Sequence, residues 1–206
     1  MELLRRLGPV RTWLLLGAVA VLVAGGIWYV VSLPTKVDRL PAQAYGKDWY
    51  AVCEDTAYTK AAPYEGRGPH EIVIFGAPGG GAGDVAESDK PPATWQPRRP
   101  EQVTLVACAE FEDLLDVAAE CPVGGRRSLY PTFGSRPERT TATLSLWRTA
   151  YKVTVYEART RDEVASMDVT GQDTSCPYSP SGLMRSGISS AQWKRLLARY
   201  VEADRD

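Results

Sequence analysis

The chain has 206 residues, 24 Lys and Arg against 25 Asp and Glu, a net charge of −1, one histidine and four cysteines. Without a dominant basic patch, nucleic acid is excluded as the expected partner. A single histidine and no CxxC pair also leave little from which to build a metal centre.

Arg11 is followed by a charge-free window that contains Trp13 to Val31, WLLLGAVAVLVAGGIWYVV. As a helix this run rises about 28 Å, close to the ~30 Å hydrocarbon thickness of a bilayer. Trp13 stands at one end and Trp28 and Tyr29 at the other, as in an aromatic belt. Arg5, Arg6 and Arg11 against Glu2 place residues 1–12 in the cytoplasm and the rest outside. The expected organisation is thus a cytoplasmic N-terminus (1–12), a transmembrane helix (13–33), a linker (34–46) and an extracytoplasmic domain (47–206). A cleaved signal peptide is the rival reading, but its apolar region would be shorter, and Ala42-Gln-Ala44 lies far past the run. Ala20 and Ala24 form a small-xxx-small pair through which two spans could approach. Twelve cytoplasmic residues are too few for an output domain, whereas Ser32 to Asp206 suits one domain with its own core.

Pro34 and Pro41 mark residues 34–46 as an extended spacer. In KDWYAVCEDTAYTK, Trp49, Val52 and Cys53 have the spacing of a short amphipathic helix, with Cys53 pinning it to the domain. Turn residues follow, and Glu71 to Phe75 reads as a β-branched strand. Gly76 to Pro100 is rich in glycine and proline. It lacks the Lys-Ser/Thr of a phosphate-cradling loop, and Asp84 follows Gly83, so it reads as an excursion.

Gln102 to Glu110 is a strand with two apolar faces. Phe111, Leu114, Leu115, Ala118 and Ala119 have helical spacing, yet the preferred reading is a strand, a short turn and a return past Cys121. Glu110, Glu112, Asp113, Asp116 and Glu120 cluster there without a calcium-loop spacing and read as a solvated face. Thr140 to Glu157 is long for one strand. It turns at Ala158 to Asp162 and returns as Glu163 to Thr170, the clearest hairpin in the sequence. Arg159 and Arg161 at this turn could meet an anion, although arginines at loop tips ordinarily face water. After a loop from Gly171 to Gly187, Ser189 or Ser190 caps a last helix. Its stripe of Trp193, Leu196, Leu197, Tyr200 and Val201 should pack on the sheet.

The expected fold class is therefore α+β: one transmembrane helix, then an antiparallel-sheet domain with a packed C-terminal helix. Cys53, Cys108, Cys121 and Cys176 all lie in the part assigned to the oxidising side, so two disulfides are expected. Of three connectivities, Cys108–Cys121 as a local clip and Cys53–Cys176 as a long staple are preferred, the local loop worth about 3 kcal/mol. Catalytic constellations are missing. His70 is the only candidate base, GxSxG is absent, and no carboxylate pair is singled out. Trp147, Tyr151 and Tyr156 could line a binding face on the sheet or simply fill a core.

Through GPHEIVIF, VTLVACAE, Cys121-Pro122, VTVYEARTRDEVASMDVTG and Cys176-Pro177, the chain resembles uncharacterised single-pass cell-envelope proteins of actinobacteria with a disulfide-containing extracytoplasmic domain. The resemblance implies an envelope location and carries no activity or site residue with it. The expected function is a membrane-anchored, non-catalytic interaction or binding domain without cofactor or metal. Its partners would be the bilayer, through residues 13–33, and another membrane or envelope protein. The alternatives are an accessory subunit of a transport or secretion complex and an envelope hydrolase using carboxylates or a Ser/Lys pair.

Overall fold

Ile72–Phe75 and Leu105–Cys108 are apolar at every position, and such stretches must be covered on both faces. The computed structural model, which describes residues 33–76, 91–122, 143–176 and 182–205, shows how. β3 (Ile72–Phe75) pairs parallel with the start of β4 (Leu105–Pro122), which pairs antiparallel along its length with β5 (Thr143–Glu157). β6 (Glu163–Thr170) pairs antiparallel with the second half of β5, and β7 (Met184–Arg185) pairs parallel with Leu146 and Trp147 in its first half. The α+β expectation holds in this coarser form. The sheet is mixed rather than antiparallel, because β3 and β7 each join it parallel to their neighbour.

One face is covered by α2 (Ser190–Val201). Its N-cap is Ser189, whose Oγ accepts from the Gln192 amide at 3.3 Å. Trp193, Leu197 and Val201 are buried against Ile72, Ile74, Leu105, Ala107, Tyr151, Val153 and Val155, with Trp95 and Ile188 filling the margins. Truncating the Trp193 side chain to alanine would cost about 3–5 kcal/mol. The Val201 carbonyl accepts from the His70 amide at 2.7 Å, tying the helix end to the entry of β3.

The other face is covered by the N-terminal segment. A 3-10 turn (Lys47–Tyr50) runs into the single-turn α1 (Ala51–Glu54) and then β2 (Thr56–Tyr58), which pairs with β1 (Thr35–Val37). Trp49, Val52, Cys53 and Tyr58 pack on Val73, Phe75, Val106 and Cys108. Val37, Leu40 and Tyr45, in the stretch read as a spacer, pack on the same cluster, and the Trp49 indole donates to the Gln43 carbonyl at 2.9 Å.

Both disulfides form, but with partners other than those preferred from sequence: Cys53–Cys108 and Cys121–Cys176, with Cα separations of 5.7 and 5.5 Å. The reason is the path of β4. No turn interrupts Leu105–Pro122, so Cys108 and Cys121 sit in one strand. Thirteen residues of strand, from position 108 to position 121, cover roughly 40 Å, far beyond the ~7 Å that a disulfide can bridge. Cys108 instead faces α1, and Cys121 faces the segment after β6.

Residues 13–32 of the expected span, the glycine-rich stretch 77–90 and the loop 123–142 lie outside the described residues. Among the described residues no helix is long and apolar enough to cross a membrane.

Candidate interaction surface

The sheet changes character along β4. At Gly76 β3 leaves it, with φ at +128° and no room for a side chain, since a Cβ there would collide with the Ala109 Cβ. From Glu110 onward, among the described residues, β4 has a partner only in β5. The two strands run on as a ribbon joined by β7, and every β4 residue from Glu110 to Asp113 is exposed.

The ribbon is irregular in an ordered way. Register shifts fall between Phe111 and Asp113, between Leu114 and Val117, and between Val117 and Ala119. Each adds residues to β4 without adding any to β5. As a result Phe111, Leu114 and Val117, three apart, stand opposite Tyr151, Thr149 and Trp147, which are two apart. Cross-strand partners share a face, so this apolar row shares the face of Tyr151, the face that α2 covers farther along the sheet. Of the residues with helical spacing in the sequence, Phe111 and Leu114 fall in this row, while Ala119 stands opposite Leu146 on the other face.

That face is open. Phe111, Val117 and Leu115 are 41, 45 and 47 % exposed, and Leu183, just before β7, is 55 % exposed. These are four of the five exposed large apolar side chains among the described residues. Arg185 reaches across from β7 to lie 4.1 Å from the centroid of the Phe111 ring. The opposite face of the ribbon is closed by a small cluster of Cys121, Leu146 and Met184, with Ala118, Ala119 and Leu144 against it.

The five carboxylates read as a solvated face all lie exposed along the ribbon. Asp116 is 3.6 Å from Arg148, Glu110 stands opposite Lys152, and the Asp113 carboxylate accepts from the Leu114 amide at 2.8 Å. Bulges, edge charges and an amide satisfied by its own neighbour are the devices that stop an edge from recruiting another strand. What remains available is the face, not the edge.

Where ribbon and sheet meet, a buried polar knot fixes their relation. The Ser186 hydroxyl accepts from the Thr149 amide at 3.0 Å and donates to the Gly171 carbonyl at 3.1 Å, and the Ser186 carbonyl accepts from the Tyr151 hydroxyl at 2.8 Å. Gly171 is required there, because a Cβ would come within 2.6 Å of the Ser186 carbonyl oxygen. Ser186 is fully buried with its hydroxyl engaged on both sides, so it is not presented to a substrate.

The other residues considered from sequence have structural partners. His70 is buried, with Nε2 3.1 Å from the Ala203 carbonyl and its ring edge-on to Tyr64. Arg159 is exposed, as loop-tip arginines ordinarily are, whereas Arg161, at the hairpin turn with φ of +64°, is half-buried and held by the fold. Its guanidinium donates to the Val52 and Glu54 carbonyls on either side of Cys53 and lies 4.8 Å from the Tyr156 ring centroid. Of the three aromatic candidates, Tyr151 is buried, Tyr156 is half-buried beneath Arg161, and Trp147 is half-buried on the open ribbon face. Among the described residues no three His, Cys, Asp or Glu side chains are grouped to hold a metal ion.

β7 and the ribbon as a unit were not visible in the sequence. Two strand residues inside GLMRSG carry no periodic signal, while the spacing of Phe111, Leu114, Leu115, Ala118 and Ala119 was a signal open to two readings. Comparison with protein families, with curated proteins and with solved structures finds no match to this chain.

Proposed function

We propose that the chain is a membrane-anchored extracytoplasmic interaction module, non-catalytic, held at the cell membrane by residues 13–33 with its N-terminus in the cytoplasm. The observation that carries this reading is the open apolar face formed by Phe111, Val117 and Trp147 on the ribbon. Exposed apolar side chains gathered on one face mark a surface made to be covered. Two disulfides suit an oxidising compartment, and the charge-free run from Trp13 supplies the tether.

The test is photo-crosslinking in intact membranes, with a benzophenone side chain introduced in place of Leu115 in the full chain. A discrete adduct at Leu115, absent when the same group replaces Glu163 on β6, is the expected result. Equal or no adducts at the two positions would remove the ribbon as an interaction surface. Labelling with a membrane-impermeant amine reagent tests the orientation, since Lys47 and Lys60 should react in intact cells.

A further inference from the structure

The two disulfides meet solvent differently. Cys53 and Cys108 are both buried, between α1 and the doubly covered start of β4. Cys121 is fully buried, but its partner Cys176 is exposed, the one cysteine of the four that is. We propose that Cys121–Cys176 is a site of thiol–disulfide exchange, entered at Cys176 by an external thiol, while Cys53–Cys108 stays closed to exchange in the folded chain. The inference stands on the surroundings of the two bridges and is independent of what the ribbon binds.

Exchange needs a thiolate to reach one sulfur along the line of the S–S bond. Cys121 is shielded from such an approach, since it packs with Leu146 and Met184 against Ala118, Ala119 and Leu144. Cys176 lies on the segment after β6 and is reached through an ordered turn. Asp173 exchanges two backbone hydrogen bonds with Gly187, of 2.9 and 3.1 Å. Its carboxylate accepts from the Ser175 amide at 3.0 Å and from the Ser175 hydroxyl at 2.6 Å. The turn leaves Cys176 in solvent.

The attacking thiolate forms a bond to Cys176 Sγ as the Cys121–Cys176 bond breaks. The Cys121 sulfur leaves with the electron pair and takes a proton from water. A dithiol completes the reaction: its second thiolate attacks its own sulfur in the mixed disulfide, Cys176 leaves as a thiolate, and the reagent departs oxidised, having supplied two electrons. Cys121 leaves from apolar surroundings, which opposes the first step. It is, however, the penultimate residue of β4, and past Glu120 only the pairs Cys121–Leu144 and Pro122–Thr143 hold the strand end. Fraying of these two pairs admits water to the leaving sulfur while the sheet stays closed. Cys53–Cys108 has no such exit. Cys108 lies in β4 between β3 and β5, and Cys53 is packed beneath the N-terminal segment, so attack there waits on opening of the domain.

The test is a time course with mercaptoethanol, an uncharged monothiol, added to the full chain in detergent micelles. Samples are quenched with excess N-ethylmaleimide, and each cysteine is followed by peptide mass spectrometry. Cys121 and Cys176 should react about a hundredfold faster than Cys53 and Cys108, because a buried bridge reacts only from rarely populated open states. The trapped intermediate should carry mercaptoethanol on Cys176 and maleimide on Cys121. The surviving Cys53–Cys108 bridge certifies that the domain is folded while this happens. Equal rates at the two bridges would overturn the proposal, and so would the mixed disulfide on Cys121. Reaction of Cys176 that begins only in urea would overturn it as well, by showing that this sulfur is as closed as the other three. Selective exchange with no adduct at Leu115 would leave the exchange site standing and remove the interaction module.

Discussion

Leu105 to Cys108 and Glu110 to Glu120 are neighbours in one strand, yet they live in different surroundings. The first four residues are buried between α2 and the N-terminal segment, while Glu110 to Glu120 form one side of a ribbon with a partly open face. Each region has one disulfide, and both disulfides close a separation of 55 residues. In the chain-entropy model the two are therefore worth the same, about 4 kcal/mol. Any measured difference reports on the regions and not on the loops.

That equality gives the largest expected effect. Replacing Cys53 and Cys108 together by alanine should lower the unfolding free energy of the whole domain by about 4 kcal/mol in urea. Replacing Cys121 and Cys176 should lower it by less than about 1 kcal/mol, because the ribbon opens on its own while the doubly covered sheet persists. Amide exchange would then accelerate at residues 111–120 and stay slow at residues 105–108. Equal losses for the two pairs would mean that ribbon and sheet unfold as one unit.

The junction sets how independent the two regions are. Ser186→Ala leaves the Thr149 amide and the Gly171 carbonyl buried without partners. The expected cost is about 2 kcal/mol, with faster exchange on both sides of Thr149. A cost below about 0.5 kcal/mol would show that β6 and β7 are held to β5 by their ladders alone.

How much of this was legible beforehand follows from the kind of signal each element carries. The β5–β6 hairpin, the capped C-terminal helix and the strands at Ile72 and Leu105 were read correctly, because each rests on local periodicity or a local cap. Disulfide partners were not, because connectivity depends on where the strands go. One assumed turn between Cys108 and Cys121 reversed the whole pairing. Arg161 was read as a loop-tip arginine facing water. The carbonyls it meets belong to α1, more than a hundred residues earlier, and no local pattern announces such a contact. The open ribbon face was hidden for a similar reason, since the bulges let Phe111 and Leu114 share a face at helical spacing.

Alkaline pH acts on the covered half through its N-terminal segment. Burial pushes the Tyr45 hydroxyl well above the ordinary tyrosine range, and although it is turned toward the Ile74 backbone, no group meets it at hydrogen-bond distance. Burial, with the Asp48 carboxylate second, pushes Tyr58 in the same direction. The native state thus keeps protons that the unfolded chain releases near pH 10, so the unfolded state binds fewer protons above that pH. Stability is unaffected below about pH 10 and falls as pH rises beyond it, by about 1 kcal/mol between pH 10 and 11 for Tyr45. Tyr45→Phe should flatten that fall in urea midpoints measured at pH 9, 10 and 11, and an unchanged slope would place the lost stability elsewhere.

The smallest expected effect bears most directly on function. Val106 and Val117 are eleven positions apart in β4, one fully buried and the other 45 % exposed. Val106→Ala removes two buried carbons from a close-packed cluster and should cost about 2 kcal/mol or more. Val117→Ala, made on an open face, should change stability by less than about 0.5 kcal/mol. If Val117→Ala costs as much as Val106→Ala, its side chain is covered within the chain itself, and a face already filled has nothing to offer a partner. If it costs nothing in the isolated chain yet abolishes the Leu115 crosslink, the valine is there for contact and not for folding, which is what separates the ribbon from the sheet it grows out of.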